Sequence, residues 1–313
     1  MSTIFITGGT GYIGRVIIER ALQKGYLVRA LSRSASGDDF LTSLGAVPVR
    51  GTLETYDILN AEARNADIVL HLAFVHDFTK PLKELIPIDI KAVDAMAEAL
   101  AGTGKALVVT SGTGLIQPDP EGKETDEESP VAPDGHFTVR REAETKALAW
   151  AEKGVRVSVI RLPQYVYGRR NRVWFASGWI KVAVKYGVAG YLGDGKHCFS
   201  QVHVDDAAEL YLLAAEKAGA GEVFNGVAGT DTSYRQLAEA IGEVAGVPVR
   251  SVAREEATAR WGPFLVAFAS TGNRASGAKA RRQLGWVVEM PSLLSEIREG
   301  SYRELVDVFR RSN

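Results

Sequence analysis

Short runs of β-branched residues alternate along the chain with longer segments in which apolar positions recur every three or four residues. The first pattern is typical of buried strands and the second of amphipathic helices. Strands are predicted at Thr3–Thr7, Leu27–Ser32, Val47–Gly51, Ile68–Leu72, Ala106–Ser111 and Arg156–Leu162. Helices are predicted at Gly11–Lys24, Glu54–Asn65, Ile88–Ala101 and Phe137–Lys153. This alternation indicates an α/β fold in which helices cover a doubly wound parallel sheet.

Composition restricts the possible partners. The 313 residues are 46% hydrophobic and 24% charged, with a formal net charge of -1, so neither a nucleic acid nor a membrane is indicated. Cys198 is the single cysteine, which excludes an intrachain disulfide and a cysteine-based metal site. We expect no signal peptide, no metal and a reducing, cytoplasmic location.

A glycine pattern, Thr7-Gly8-Gly9-Thr10-Gly11-Tyr12-Ile13-Gly14, joins the first predicted strand to the first predicted helix. Gly8 permits a tight turn, Gly11 lets the backbone approach a pyrophosphate, and Gly14 lets helix and strand pack closely. The helix N-terminus then faces the anion with free N–H groups. This context predicts a Rossmann-type dinucleotide site, whose contacts here are Gly8, Thr10, Gly11, Tyr12 and Ile13.

The end of the second strand distinguishes NADP from NAD, because an acidic residue there would bind the ribose 2′-OH and repel a 2′-phosphate. Ser32 and Arg33 occupy that end, and Ser34 follows them. A guanidinium beside a hydroxyl suits a phosphate dianion. The sequence therefore predicts NADP(H), with Ser32, Arg33 and Ser34 at its phosphate end; the alternative for Arg33 is a solvated surface side chain.

Several further motifs resemble, in order, those of the extended short-chain dehydrogenase/reductase family. They are His71-Leu72-Ala73-Phe74, Val109-Thr110-Ser111-Gly112-Thr113, Arg161-Leu162-Pro163, Val166-Tyr167-Gly168 and His203-Val204-Asp205-Asp206-Ala207. The resemblance implies an enzyme, with a serine or threonine that polarises the substrate, and both Ser111 and Thr113 are candidates. It also implies further cofactor contacts from Leu72, Ala73, Phe74, Thr110, Leu162, Pro163, Tyr165 and Val166.

The family's catalytic Tyr-x-x-x-Lys is missing from this sequence. Glu142-x-x-x-Lys146 leaves only fifteen residues before Arg161, whereas His136-x-x-x-Arg140 leaves twenty-one, which matches the family's longer helix better. We therefore place His136 at the tyrosine position and Arg140 at the lysine position, as in an atypical subgroup. A neutral imidazole can exchange a proton near neutral pH, and an arginine can hold the nicotinamide-ribose hydroxyls. The alternative is that both are surface residues at a helix start.

The alternation of strands and helices weakens after Leu162, which indicates a smaller, discontinuous C-terminal substrate lobe. We predict that residues 1–168 plus about 199–227 form the NADP-binding domain, and about 169–198 plus 228–313 the lobe. The acidic segment Gln117–Asp134 is either a solvated loop or a flap over the substrate. Near the carboxyl terminus, Trp261, Phe264 and Phe268 either reach the substrate lobe or pack as the apolar stripe of a helix.

Three functions are compatible with these residues. The first is an NADP(H)-dependent oxidoreductase for a small organic carbonyl, imine or alcohol, with His136 as proton donor or acceptor. The second is an epimerase, dehydratase or isomerase without net redox change. The third is a non-catalytic NADP-binding redox sensor. The first two require a small-molecule substrate, and a homodimer through the predicted helices Ile88–Ala101 and Phe137–Lys153 is possible.

Overall fold

A seven-stranded, all-parallel sheet forms the centre of the computed structural model, which describes residues 1–77, 79–133, 140–171 and 175–311. In chain order the strands are β1 (Thr3–Thr7), β2 (Leu27–Ser32), β3 (Val47–Arg50), β4 (Ile68–His71), β5 (Ala106–Gly112), β6 (Arg156–Leu162), β7 (Tyr165–Tyr167), β8 (Ala189–Leu192), β9 (Cys198–His203), β10 (Glu222–Asn225), β11 (Gly229–Ser233) and β12 (Val249–Val252). The central sheet has the order β10-β6-β5-β4-β1-β2-β3. The chain changes direction across the sheet between β1 and β4, and ligands of such sheets bind in the crevice at this point.

Helices cover both faces of the sheet. They are α1 (Tyr12–Gln23), α2 (Ala35–Leu44), α3 (Tyr56–Asn65), α4 (Leu82–Leu100), α5 (Arg140–Ala149), α6 (Phe175–Tyr186), α7 (Val204–Lys217), α8 (Tyr234–Ala245), α9 (Arg254–Ala269), α10 (Ala278–Leu284), α11 (Leu293–Arg298) and α12 (Arg303–Arg311). Short 3₁₀ turns lie at Thr113–Leu115 and Trp150–Lys153. Among the described residues, no helix combines the length and apolar character needed to cross a bilayer.

The core follows from the two-residue period of the central strands. In β1, Ile4 and Ile6 face a cluster formed with α1 and α7, whereas Phe5 faces a second cluster formed with α3 and α4. All three are fully buried. Burial on both faces explains why these strands are nearly continuous apolar runs.

The predicted doubly wound α/β fold is confirmed, and the strand bounds agree within one residue. Helix α2 was not predicted, because Ala35–Leu44 places only Leu41 in the core and contains a glycine. Helix α4 begins at Leu82 and continues through Pro87, which we had expected to lie outside the helix.

A smaller lobe is formed by β8, β12, α6, α8, α9, α11 and α12 around an aromatic core. The indole N–H of Trp179 donates to the Tyr165 hydroxyl, and the Trp179 and Trp261 rings lie 4.9 Å apart. Strands β7, β9 and β11 form a separate three-stranded sheet rather than joining the central one. The predicted division into domains remains a prediction.

Candidate active site

The glycine turn between β1 and α1 has the geometry of a nucleotide-binding loop. Gly8 has a left-handed backbone (φ 78°), and a Cβ there would lie 2.8 Å from the Ala73 nitrogen. A Cβ at Gly14 would lie 2.2 Å from the Gly8 oxygen. Gly11 is exposed at the N-terminus of α1, with no side-chain cap. The turn thus leaves backbone N–H groups open to an anion, as a bound pyrophosphate requires.

Two cavities meet at this turn and together form a continuous groove. The first, of about 480 Å³, lies over the carboxyl ends of β1, β4, β5 and β6. The second, of about 830 Å³, lies beside the start of α2. Gly11, Tyr12 and Asn171 line both. The Tyr12 hydroxyl donates to the Gly168 carbonyl at 2.8 Å, which joins the glycine turn to the loop between the cavities.

The second cavity has the chemistry of a phosphate site. Arg33 is exposed along its wall, and Ser34 caps α2 by accepting the Gly37 N–H at 3.1 Å. Arg15 also lines this cavity, and its Nε is buried without a partner among the described residues. No carboxylate is part of the described wall of this cavity. Asp38, in the first turn of α2, lies outside the described lining and is paired with Arg50. The wall therefore favours an anion.

In the first cavity, the end of β5 separates the two candidate hydroxyl groups. Ser111 lines the cavity, and its Oγ is buried without a hydrogen bond among the described residues. Thr113 is fully buried elsewhere, where its hydroxyl donates to Asn273 Oδ1 at 2.8 Å and its carbonyl accepts from Asn273 Nδ2 at 3.0 Å. Of these two residues Ser111 is the one that lines the cavity, and Thr113 instead fixes the chain after β5 to the C-terminal lobe.

Arg140 lies in the wall of the first cavity, at the start of α5. Its guanidinium carbon is 4.5 Å from the centroid of the Phe74 ring, which is a cation–π contact. Burial lowers the pKa of Arg140 from its ordinary value, while the nearby Asp89, Tyr211 and Glu144 act in the opposite direction. Arginine stays protonated through such a shift, so the cavity contains a permanent cation.

Helix α5 is held in this register by a buried ion pair. Glu144 lies one turn after Arg140, and both of its oxygens accept from the guanidinium of Arg161 in β6, at distances down to 2.5 Å. Both side chains are about 6% exposed. The competing residues Glu142 and Lys146 pair with each other on the solvent face of the helix. The helix therefore turns Arg140 toward the groove and Lys146 away from it.

A buried polar network supports the floor of the groove. His71 lies between Thr7 and Asp89: its Nδ1 is 2.8 Å from Thr7 Oγ1, and its Nε2 is 3.1 Å from Asp89 Oδ1. The Ala73 N–H donates to the same threonine oxygen. These bonds fix the end of β4 to the glycine turn, so His71 has a structural role.

Most of the residues predicted to contact the cofactor line one of the two cavities: Gly8, Thr10, Gly11, Tyr12, Ile13, Ser32, Arg33, Ser34, Leu72, Phe74, Thr110, Arg140, Leu162, Pro163 and Val166. Two do not. Tyr165 is 1% exposed and packs against Phe199 in the lobe core, because it faces away from Val166 on β7. Ala73 lies behind Gly8, outside the groove lining. His136 lies outside the described residues.

Several lining residues were not predicted from the sequence. Arg169 and Arg170 border the second cavity with left-handed backbones (φ 48° and 55°), and Arg169 binds Asp205 while Arg170 pairs with Glu304. Backbone strain of this kind persists where the surroundings fix it, and it often marks ligand sites. No local pattern in the sequence singled out Gln164.

His76 also lines the first cavity. Its Nδ1–H donates to the Phe74 carbonyl at 3.1 Å. Burial, and next the charge of Arg140, lower its pKa, so the ring is neutral at neutral pH. The loop after β4 thus contributes a second imidazole to the groove besides the one predicted at His136.

The described part of the acidic segment, 117–133, does not line either cavity. It is attached to the C-terminal lobe, because Thr125 forms a bridge with Ala275. The Glu127 carboxylate accepts the backbone N–H of Asn225 at 2.7 Å. In this structure the described part of the segment is a surface loop that is bonded to the rest of the fold, and it does not form a flap over either cavity.

The parallel sheet, glycine turn and groove define an extended short-chain dehydrogenase/reductase. Residues 4–226 match the NAD dependent epimerase/dehydratase family, and the chain belongs to that family. It is 36% identical over 299 residues to an uncharacterised protein of Schizosaccharomyces pombe, covering 96% of this chain and 99% of that one. It is 27% identical over 260 residues to a decarboxylating sterol-4-alpha-carboxylate 3-dehydrogenase of Dictyostelium discoideum, covering 76% and 74%.

Solved structures show the same fold. A UDP-glucose 4-epimerase of Thermotoga maritima, determined with UDP-glucose, superimposes with a TM-score of 0.75 at 22% identity. The match covers 99% of both chains. The resemblance inferred from the motifs is thereby confirmed at the level of family and fold, and the relatives include both redox enzymes and epimerases.

Proposed function

We propose that this chain is an NADP(H)-dependent oxidoreductase that acts on a small or medium-sized organic carbonyl, imine or alcohol. The observation that carries the proposal is the groove, which joins a basic, carboxylate-free described wall at Arg33 to a cavity containing Arg140 and Ser111. A dinucleotide fits between them, since the glycine turn lies at the junction and added Cβ atoms would fill it. The sterol dehydrogenase relative supports redox chemistry.

The residues divide the chemistry between them. When bound, NADPH supplies hydride at the nicotinamide ring. The Ser111 hydroxyl has no other partner among the described residues, so it is available to donate to a substrate carbonyl and polarise it. Arg140 holds ribose hydroxyls with its planar fork, and its charge disfavours a second cation nearby.

His136 handles the proton in this proposal. It lies four residues before Arg140 in the sequence, and a permanent positive charge would favour the neutral form of an imidazole placed near it. Positioned acid–base groups contribute roughly 10²–10⁴ to a rate. His136→Ala should therefore lower kcat by about two orders of magnitude or more while leaving the Kd for NADPH within about twofold.

The test follows NADPH absorbance with a panel of ketones, aldehydes and imines, comparing wild type with His136→Ala and His76→Ala. Full turnover in His136→Ala with loss in His76→Ala would transfer the proton role to His76. Substrate isomerisation without any change in NADPH would favour the epimerase alternative. Tight NADPH binding without conversion of any panel member would favour a redox sensor.

A further inference from the structure

The far wall of the first cavity, beyond the glycine turn, is apolar. Phe74, Leu115, Val166 and Phe268 line it, together with the polar side chain of Gln164. Among the described residues of this cavity, Arg140 is the single permanent cation. A sugar diphosphate needs cationic partners for its phosphates, and the described wall offers none beyond the arginine that we assign to the cofactor ribose.

Phe268 reaches the cavity because α9 is broken. Gly262 has φ 81° and ψ 161° inside this helix, and Pro263 follows it. A Cβ at Gly262 would have no atom within 4 Å. Glycine is therefore required at this position by the backbone conformation and not by close packing. Before the break, Trp261 is buried in the lobe core. After it, the helix takes a new direction and brings Phe268 into the cavity wall.

Two phenylalanines share one face of the second half of α9. Phe264 and Phe268 are four residues apart, and their ring centroids are 4.8 Å apart. Phe264 is 38% exposed and lies outside the cavity lining, whereas Phe268 is 8% exposed and forms part of it. The two phenylalanines therefore lie on the same helix, but of the two only Phe268 contributes to the cavity wall, so Phe264 can serve as its control.

Gln164 adds a specific polar contact to this wall. Its Oε1 is buried and has no hydrogen bond among the described residues. A buried acceptor without a partner has lost its hydrogen bond to water and gained none in return, which is unfavourable. A hydrogen-bond donor on a ligand in the cavity would satisfy it.

The geometry points to an uncharged, largely apolar carbonyl compound as the substrate, with its apolar body against Phe268 and a hydroxyl or N–H donor directed at Gln164. This inference rests on the proposed function for the position of the reacting carbonyl near Ser111. Phe268 and Gln164 then determine specificity, and a sugar nucleotide is a poorer ligand than an uncharged ketone.

Calorimetry with the NADP⁺-saturated protein tests the inference without turnover. The probes are 4-phenyl-2-butanone, its 4-hydroxyphenyl analogue and UDP-glucose. We expect both ketones to bind, the hydroxylated one more tightly, and UDP-glucose to bind at least about tenfold more weakly than either. Binding of UDP-glucose alone, or of no probe, would overturn the inference.

Variants locate the contacts. Phe268→Ala should weaken both ketones about tenfold, whereas the matched Phe264→Ala should change them by less than about twofold. Phe268→Leu retains apolar volume and serves as the second variant if Phe268→Ala does not fold. It should keep most of the wild-type affinity for the ketones. Gln164→Met should remove the preference for the hydroxylated ketone. Equal effects of the two alanine variants in folded proteins would refute the assignment of Phe268.

The same ketones, offered with NADPH, separate this inference from the proposed function. Ketones that bind but are not reduced would contradict the oxidoreductase and leave the apolar pocket standing. NADPH-dependent reduction of a sugar nucleotide, and of no other ketone, would contradict the apolar pocket and leave the oxidoreductase standing.

Discussion

Replacing Arg33 by alanine should convert a chain that prefers NADPH into one that barely distinguishes the two cofactors. Arg33 is exposed in the cavity wall and has no hydrogen bond or ion pair within the described part of the chain. The nearby Arg169 and Arg170 are already paired with acidic side chains. Arg33 and Arg15 are therefore the arginines of this cavity wall that form no ion pair in the described part of the chain, and Arg33, the exposed one at the end of β2, is the one that we assign to a 2′-phosphate.

The size of the effect follows from the exposure of the site. Hydrogen bonds to charged groups contribute about 1.5–3 kcal/mol, and solvent screening in an open cavity favours the lower end. A loss of about 1.5 kcal/mol is about a tenfold rise in the Kd for NADPH. The Kd for NADH should change by less than about twofold, because NADH lacks the phosphate.

Titration of wild type, Arg33→Ala and the remote control Arg64→Ala with both cofactors measures these values. Arg64 is exposed on α3 and bonds to Asn60, far along the surface from the groove lining. Raising the salt concentration should weaken NADPH more than NADH in wild type, and this difference should shrink in Arg33→Ala. A parallel loss of both cofactors, or a wild-type preference for NADH, would refute the argument.

Three further predictions concern stability and cofactor binding. Glu144→Gln leaves a buried guanidinium unpaired and should lower the free energy of unfolding by about 3–5 kcal/mol in urea, whereas Glu142→Gln on the solvent face should leave it nearly unchanged. Gly14→Ala places a Cβ 2.2 Å from a backbone oxygen and should abolish saturable NADPH binding in calorimetry, whereas Gly178→Ala, with open space around an ordinary helical backbone and outside the lining of both cavities, should retain binding. Burial lowers the pKa of His203, so the stability present above about pH 6.5 should decrease as the pH falls through the lowered pKa. Thermal melts above pH 6.5 and below the lowered pKa should show a smaller decrease for His203→Asn, which preserves the helix cap, than for wild type. Equal decreases would contradict this prediction.

The nucleotide end of the groove was predictable because its determinants are local. The turn needs glycine at Gly8 and Gly14, and the strand before it and the helix after it have clear periods. Tyr165 was predicted to contact the cofactor because of the motif that contains it. The two-residue period of β7, however, places its side chain on the other face of the strand from Val166, which lines the cavity. Helix α2 was missed, although Ser34 and Gly45 are ordinary cap residues at its two ends.

The substrate end was not predictable, because its wall is assembled from distant segments. Leu115 and Phe268 are separated by more than 150 residues, and both line one cavity. The direction of Phe268 depends on the backbone angle at Gly262, which the helical pattern of α9 does not reveal. Thr113 and Asn273 likewise bond across the two lobes, so no local signal could have chosen Ser111 over Thr113.

The replacement of the family's Tyr-x-x-x-Lys is best understood from the helix that would contain it. Glu144 is bonded to Arg161 in the buried sheet, and this contact fixes the rotation of α5 about its axis. Residues one helical turn apart share a face, so Arg140, four positions earlier, lies on the same side of α5 as Glu144, and it lines the first cavity. Lys146 is turned to solvent. In our proposal Arg140 takes the position of the family's lysine, so the helix supplies a cation that keeps its proton. The proton transfer is then left to another group, and in this proposal the imidazoles of His136 and His76 are the side chains whose chemistry suits that task.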